Sequence, residues 1–210
     1  MIGVELDDAE RALHRLTRRR LLLAAACSVC GAVPLHVHAG QAMDPRLAEL
    51  LRDKRTLWVR RGDEEVRATY WTANAGRNQD EYLRLCWIMR DVRADRVFAI
   101  NRALLDTLAG VQAWIARSGI QAPIELHSGY RTRATNNSTE GAARDSRHVV
   151  GQAADISVRG VSSVKLAGVA SVLGRGGTGF YVGRGFVHVD SGDERIWLDQ
   201  GKPKPAAPGG

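Results

Sequence analysis

Two histidines and an aspartate hold the chemistry this chain can carry out. The stretch Ser146-Arg147-His148-Val149-Val150-Gly151-Gln152-Ala153-Ala154-Asp155 sets an imidazole seven residues ahead of a carboxylate, with small residues between them. Forty residues beyond His148 comes His188, in Phe186-Val187-His188-Val189-Asp190. Two imidazoles and one carboxylate are a sensible ligand set for a catalytic zinc ion. Three protein donors leave the fourth tetrahedral position to water, whose pKa the metal lowers toward neutrality. Taken singly, each motif has a plainer explanation. His148 and Asp155 could form a structural hydrogen-bonded pair, and His188 could be a half-buried strand histidine. Together they favour a metal site and a zinc hydrolase. Side chains on a strand alternate with a period of two, so His188 and Asp190 share a face and offer an imidazole and a carboxylate to one cleft.

The elements that must position these residues follow from pattern. Residues 44–54 read as a short helix. Arg55 to Arg60 alternates as a strand, Arg61-Gly62-Asp63-Glu64 is a turn, and Glu65 to Trp71 returns as the second strand of a hairpin. Asn74 to Asn78 is a polar loop. Gln79 to Val92 places Tyr82, Leu85, Cys86, Met89 and Val92 on one helical face. Asn101 to Ser118 is a second amphipathic helix with Leu104, Leu105, Leu108, Val111, Trp114 and Ile115 inward, ended by Gly119. Pro123 to His127 is a strand that empties into Ser128-Gly129-Tyr130-Arg131-Thr132. Residues 133–147 have no periodicity and form a long loop, of a length that is often functional. Gln152 to Val158 is the strand carrying Asp155, and Ser162 to Leu173 is a helix. A glycine-rich turn at 174–179 leads to a hairpin of 179–182 with 185–190, and Ile196-Trp197-Leu198 is a last short strand. The expected class is α+β, a small, mainly antiparallel sheet with flanking helices.

The N-terminus reads as an export signal. Thr17-Arg18-Arg19-Arg20-Leu21-Leu22-Leu23 opens an apolar run to Val33, and Val37-His38-Ala39 offers a small-residue cleavage site. The paired arginines before leucines look like a twin-arginine signal, which delivers folded proteins. The competing readings are a membrane anchor, for which the run is short, and a lipoprotein site at Ala24-Ala25-Ala26-Cys27. Cleavage after Ala39 removes Cys27 and Cys30 and leaves Cys86 alone, expected buried in a helix. It leaves three histidines, His127, His148 and His188, and a net charge that falls only from +7 to +6. That balance suits an anionic wall polymer. Scattered Lys and Arg, with no zinc-finger spacing or aromatic-basic signature, argue against nucleic acid. The domains expected are 1–39 as signal, 40–199 as the folded domain and 200–210, rich in Pro, Gly and Lys, as a disordered tail. No stable membrane span is expected after cleavage, and the chain is expected to be a monomer.

The pattern Ser146-x-His148-x-x-Gly151-x-Ala153-x-Asp155, with His188 downstream, resembles the zinc D-Ala-D-Ala carboxypeptidase and endopeptidase family, whose fold is shared with lysostaphin-type peptidases and the hedgehog signalling domain. Ser128-Gly129-Tyr130-Arg131 with Thr135-Asn136, Arg90-Asp91-Val92-Arg93, Gly177 to Tyr181, Phe186 to Asp190 and Arg195-x-Trp197 look closest to its murein endopeptidase K branch. The resemblance covers most of 46–198. It implies that His148, Asp155 and His188 hold Zn2+. It also implies that Arg131 stabilises the oxyanion of the tetrahedral intermediate, and that Ser146 orients the site. Tyr130 and His127 are further substrate-binding candidates. Many relatives carry a glutamate as general base three residues before the second histidine; here Gly185 stands there. Asp190 is the candidate replacement, with the alternative that it holds a ligand from behind.

The first expectation is therefore a periplasmic zinc endopeptidase that cleaves peptide crosslinks between peptidoglycan stems. The rivals are a wall-binding scaffold with a vestigial metal site, motivated by Gly185, and a D,D-carboxypeptidase or dipeptidase acting on a small substrate.

Overall fold

Alternating burial along Lys54–Arg61 and Glu64–Thr72 is the pattern of strands packed on one face. In the computed structural model these two segments pair as β1 and β2, antiparallel. The structure describes residues 43–199 except Arg175 and Val182. The expected signal at 1–39 and the expected tail at 200–210 lie outside the described residues. Before β1 comes α1, Pro45–Leu50, capped by the Asp44 side chain on Arg46 N. After β2 come β3 (Gly76–Arg77) and α2 (Gln79–Ile88), then α3 (Arg102–Arg117), β4 (Ile124–Ser128) and α4 (Arg133–Asn137). A 3-10 turn at Arg147–Val150 precedes β5 (Ala153–Val158) and α5 (Ser163–Leu173); β6 (Gly177–Tyr181), β7 (Phe186–Asp190) and β8 (Arg195–Asp199) end the domain. Asparagine or serine side chains cap α2, α3 and α5, each accepting a backbone N–H of the first turn.

The described strands form one eight-stranded sheet in the order β3-β2-β1-β4-β5-β7-β6-β8. β1 with β4 and β6 with β8 run parallel, and every other pair is antiparallel, so the class is α+β with a mixed, mainly antiparallel sheet. The core joins Leu57 and Val59 of β1, Leu104, Leu105, Leu108 and Val111 of α3, Leu166 and Leu173 of α5, and Ile156 of β5. Each such side chain contributes about 1.5–3 kcal/mol through burial.

Several expectations need correction. The second helix ends at Ile88 rather than Val92, so Val92 is exposed and only Leu85, Cys86 and Met89 of the expected stripe are buried. Trp114, expected inward, is more than a third exposed. The loop expected at 133–147 contains α4 and leads into the 3-10 turn, and the loop at 74–78 contains β3.

One register line matters most for the site. Across the sheet, Ser128 pairs with Asp155, Asp155 with His188, His188 with Gly179 and Gly179 with Trp197. Cross-strand partners point to the same face. Five strands therefore present Ser128, Asp155, His188, Gly179 and Trp197 in one row. Residues one step along β5 and β7, such as Ala154, Ile156, Val187 and Val189, are buried on the other face.

Candidate metal centre and its cleft

Asp155 and His188 are direct partners on β5 and β7. His148 joins them from the 3-10 turn before β5. Ser146 caps that turn, its hydroxyl accepting from His148 N at 3.4 Å. Gly151 ends it at φ 65°, the left-handed region that favours glycine. The loop after β4 clamps the turn from the other side: Arg131 N donates to His148 O at 3.2 Å, and Nδ1 of His148 donates to Gly129 O at 2.6 Å.

Three donor atoms converge. Nε2 of His148 lies 3.3 Å from Nδ1 of His188 and 3.3 Å from Oδ1 of Asp155, and the last two are 2.9 Å apart. Donors about 2.0–2.2 Å from a tetrahedral ion stand ~3.3 Å from one another. The triangle therefore has the size that one such ion requires. The outward nitrogens decide what the inward atoms offer. With Nδ1 of His148 donating to Gly129 O and Nε2 of His188 donating to Oδ2 of Asp190 at 3.1 Å, both imidazoles turn lone pairs inward. Two inward ring nitrogens and a carboxylate oxygen, all buried, call for a cation between them: a metal ion on the neutral imidazoles, or a proton on His188 Nδ1 donated to Asp155 Oδ1. The residues fit a metal ion.

The electrostatics agree. Burial opposes charge on Asp155, but the imidazoles of His148 and His188 outweigh it and hold the carboxyl below the usual carboxylate range. Burial works against a charged His188, yet the carboxylates of Asp155 and Asp190 on its two nitrogens raise it above its ordinary value. The pocket thus favours positive charge at its centre.

Arg131 lies beside the triangle. Its Nη2 donates to Oδ2 of Asp155 at 2.6 Å and its Nε to Ser128 Oγ at 2.7 Å, which fixes the guanidinium at the edge of the cleft. The cleft is open, with a volume of about 900 Å3. Its walls include Ser146, Arg147, Tyr181, Arg184 and Phe186 as well as Arg131 and the three donors.

Asp190 does share a strand face with His188, but it does not face the cleft. Its side chain has no exposed surface. Oδ1 accepts from Gly177 N at 3.0 Å and Gly192 N at 2.8 Å, and Oδ2 accepts from Arg195 Nη2 at 2.7 Å besides His188. Burial opposes its charge, and the His188 imidazole and the two backbone N–H groups more than offset this, so the carboxyl stays below its usual range. A saturated, buried carboxylate on the outward nitrogen of His188 orients that ring. It does not line the cleft, and its bond to His188 favours the alternative reading of the sequence, that Asp190 holds a ligand from behind, over a catalytic base. Nor does position 185 offer a base: Gly185 closes the β6–β7 turn at φ 71°, a conformation that disfavours any side chain.

Two further candidates stand apart. His127 falls at a bulge in β4, is exposed, and bonds Ser157 Oγ at 2.8 Å. Tyr130 stacks on Phe98 with ring centroids 4.7 Å apart. Neither lines the cleft. Trp197, by contrast, packs against His188 with centroids 5.2 Å apart, and a side chain at Gly179 would collide with its indole. The period-two spacing of Arg195 and Trp197 was the signal available in the sequence; Gly179 comes opposite only through the pairing of β6 with β8.

A family profile described as "Peptidoglycan L,D-endopeptidase MepK" matches residues 48–197. The chain belongs to this family. It is 32% identical over 183 residues to the "Peptidoglycan L,D-endopeptidase MepK" of Escherichia coli (strain K12), covering 85% of this chain and 96% of that protein. The Shigella flexneri protein of the same name matches equally, at 32% over 183 residues. The Haemophilus influenzae protein named "Probable peptidoglycan L,D-endopeptidase MepK" is 33% identical over 118 residues, 54% of this chain and 62% of that protein. The chain is thus a metallopeptidase of the MepK family, and His148, Asp155 and His188 form a group that could hold a metal ion. Among the described residues, no helix is long and apolar enough to cross a membrane.

Proposed function

We propose that the protein is a periplasmic, zinc-dependent L,D-endopeptidase that opens peptide crosslinks between peptidoglycan stems. The observation that carries this reading is the donor triangle, with its inward lone pairs, at the floor of an open cleft in a chain of the MepK family. Zinc is the metal that fits two imidazoles, one carboxylate and an open position. When bound, such an ion supplies Lewis acidity to a carbonyl and activates water.

The chain's own residues do the rest. Gly129 O and Asp190 hold the two imidazoles in the tautomers that present Nε2 of His148 and Nδ1 of His188. Arg131, braced by Ser128 and Asp155, places a fixed guanidinium where negative charge develops on the scissile carbonyl oxygen. Ser146 holds the turn that carries His148. The openness of the cleft supports a peptide still attached to a polymer over a free dipeptide. The intact, tautomer-fixed donor set supports an enzyme over a vestigial scaffold. The twin-arginine pattern at Thr17 to Leu23 supports delivery as a folded protein.

Mass spectrometry of two purified crosslinked muropeptide dimers tests the bond. The dimer joined through two diaminopimelates should be split by the zinc-loaded protein, and the D-Ala–diaminopimelate dimer should persist. Preferential cleavage of the second dimer would make this a D,D-enzyme.

A further inference from the structure

A second cavity, of about 310 Å3, lies at the other end of the sheet, lined by Arg55, Trp71, Arg77, Tyr82, Arg102 and Asp106 with their neighbours. It shares no lining residue with the catalytic cleft. β2 is four strands from β7 in the sheet, which places the two about 20 Å apart.

Three guanidinium groups meet one carboxylate there. Asp106 is already occupied: Oδ2 accepts from Arg55 Nη1 at 2.7 Å and Oδ1 from the Tyr70 hydroxyl at 2.8 Å. Arg55 lies over the Trp71 ring at 4.5 Å, and its buried Nε has no hydrogen-bond partner among the described residues. An orphaned buried donor calls for a ligand atom or an ion. Arg102 lies over the Tyr82 ring at 5.3 Å. Neither Arg77 nor Arg102 forms an ion pair among the described residues. The cavity therefore holds positive charge that Asp106 does not balance. Arg77, Asn78 and Gln79 also line an adjoining groove of about 710 Å3, whose wall adds Arg67 and Arg84. Only Arg84 of these is neutralised, by Glu81 at 2.8 Å. A small basic cavity beside a larger groove lined by Arg67, Arg77 and Arg84 with Glu81 fits an anionic end group with a chain trailing from it.

We propose that this cavity and groove form a second, non-catalytic docking site for the peptidoglycan strand, with a stem-peptide carboxylate held between Arg77 and Arg102. The inference rests on the reading of peptidoglycan as the substrate. Stem peptides carry free carboxylates, and guanidinium groups over aromatic rings bind them through charge-assisted hydrogen bonds. The site holds the polymer while the distant cleft works on a crosslink, so it matters for the intact wall and not for a small soluble fragment.

The test compares the zinc-loaded full chain with the Arg77→Glu/Arg102→Glu variant on two substrates, intact sacculi and a soluble crosslinked muropeptide dimer. Cleavage of sacculi, and co-sedimentation with them, should fall about tenfold, the scale of one or two charge-assisted contacts. Cleavage of the dimer should stay within about twofold, because the sites are far apart, and that activity also reports a folded variant. The Arg77→Lys/Arg102→Lys variant should restore most of the loss. An equal fall on both substrates, no fall on either, or a loss confined to pelleting with phosphatidylglycerol vesicles overturns the docking site. If the wild type cleaves neither substrate, the endopeptidase reading fails, and the sacculus co-sedimentation still decides the docking site.

Discussion

Asp190 is the residue whose role depends most on where its bonds go. Its buried carboxylate accepts five hydrogen bonds, one of them from the outward nitrogen of His188. Asp190→Asn removes the charge that fixes this ring, and partners of that kind change metal affinity by about 10–100-fold. Titration with a competing chelator should show zinc affinity lower by that factor, with activity recovering when zinc is in excess. A variant that keeps wild-type zinc affinity but loses turnover would return Asp190 to the catalytic role expected from the sequence. Arg131 should behave differently. Arg131→Ala removes the donor proposed for the oxyanion, with an expected fall of about 10²–10³ in kcat. Zinc should remain bound, because His148, Asp155 and His188 are untouched. Loss of zinc in that variant would mean that the Asp155 contact, at 2.6 Å, is the whole of its function.

At the scale of elements, one buried carboxylate ties the arginine loop down. Asp91, just beyond α2, accepts from Thr132 N at 2.8 Å, from Thr132 Oγ1 at 2.9 Å and from Arg93 N at 3.0 Å. Burial opposes its charge, but hydrogen bonds from Thr135 and Thr132 outweigh it and lower its pKa to about 2. The ordinary value is about 3.9. A depressed folded pKa contributes stability that is fully present above the unfolded value and is lost as pH falls through the folded one. Urea midpoints should therefore drop for the wild type between about pH 4 and pH 2. Asp91→Asn should be less stable by about 1.5–3 kcal/mol at neutral pH and should show a shallower acid dependence. An unchanged slope would show that Asp91 is not the group concerned.

This clamp also marks where the sequence stops being readable. Alternation located β1, the runs of strand-forming residues located β2, β5 and β7, and the three donors were visible from residue type alone. The His188–Asp190 face was visible from the period of two. The fate of that face was not, because it depends on Gly177, Gly192 and Arg195, which reach Asp190 through pairing of distant strands. The parallel pairings of β1 with β4 and β6 with β8 leave no local signal either. Trp197 shows its place beside His188 only once β8 is laid against β6 and Gly179 makes room. That His127 lies outside the cleft was not legible either, because a bulge in β4 turns the register at that residue.

On the scale of the whole molecule, one face of one sheet is given to chemistry and the other to the core. The row from Ser128 through Asp155 and His188 to Trp197 crosses five strands, while Ile156, Val187 and Val189 of the same strands are buried on the opposite side. The proposed metal site is therefore laid onto a scaffold that does not need it for its apolar packing, and replacing one of its three donors should leave the fold in place. That separation makes a direct test informative. Zinc content and release of cleaved muropeptides should be measured together on the purified protein and on His148→Ala. We expect about one zinc per chain with cleavage in the wild type, and neither in a variant that keeps its circular dichroism spectrum. A folded wild type that binds no zinc, or a His148→Ala variant that still cleaves, would contradict this expectation.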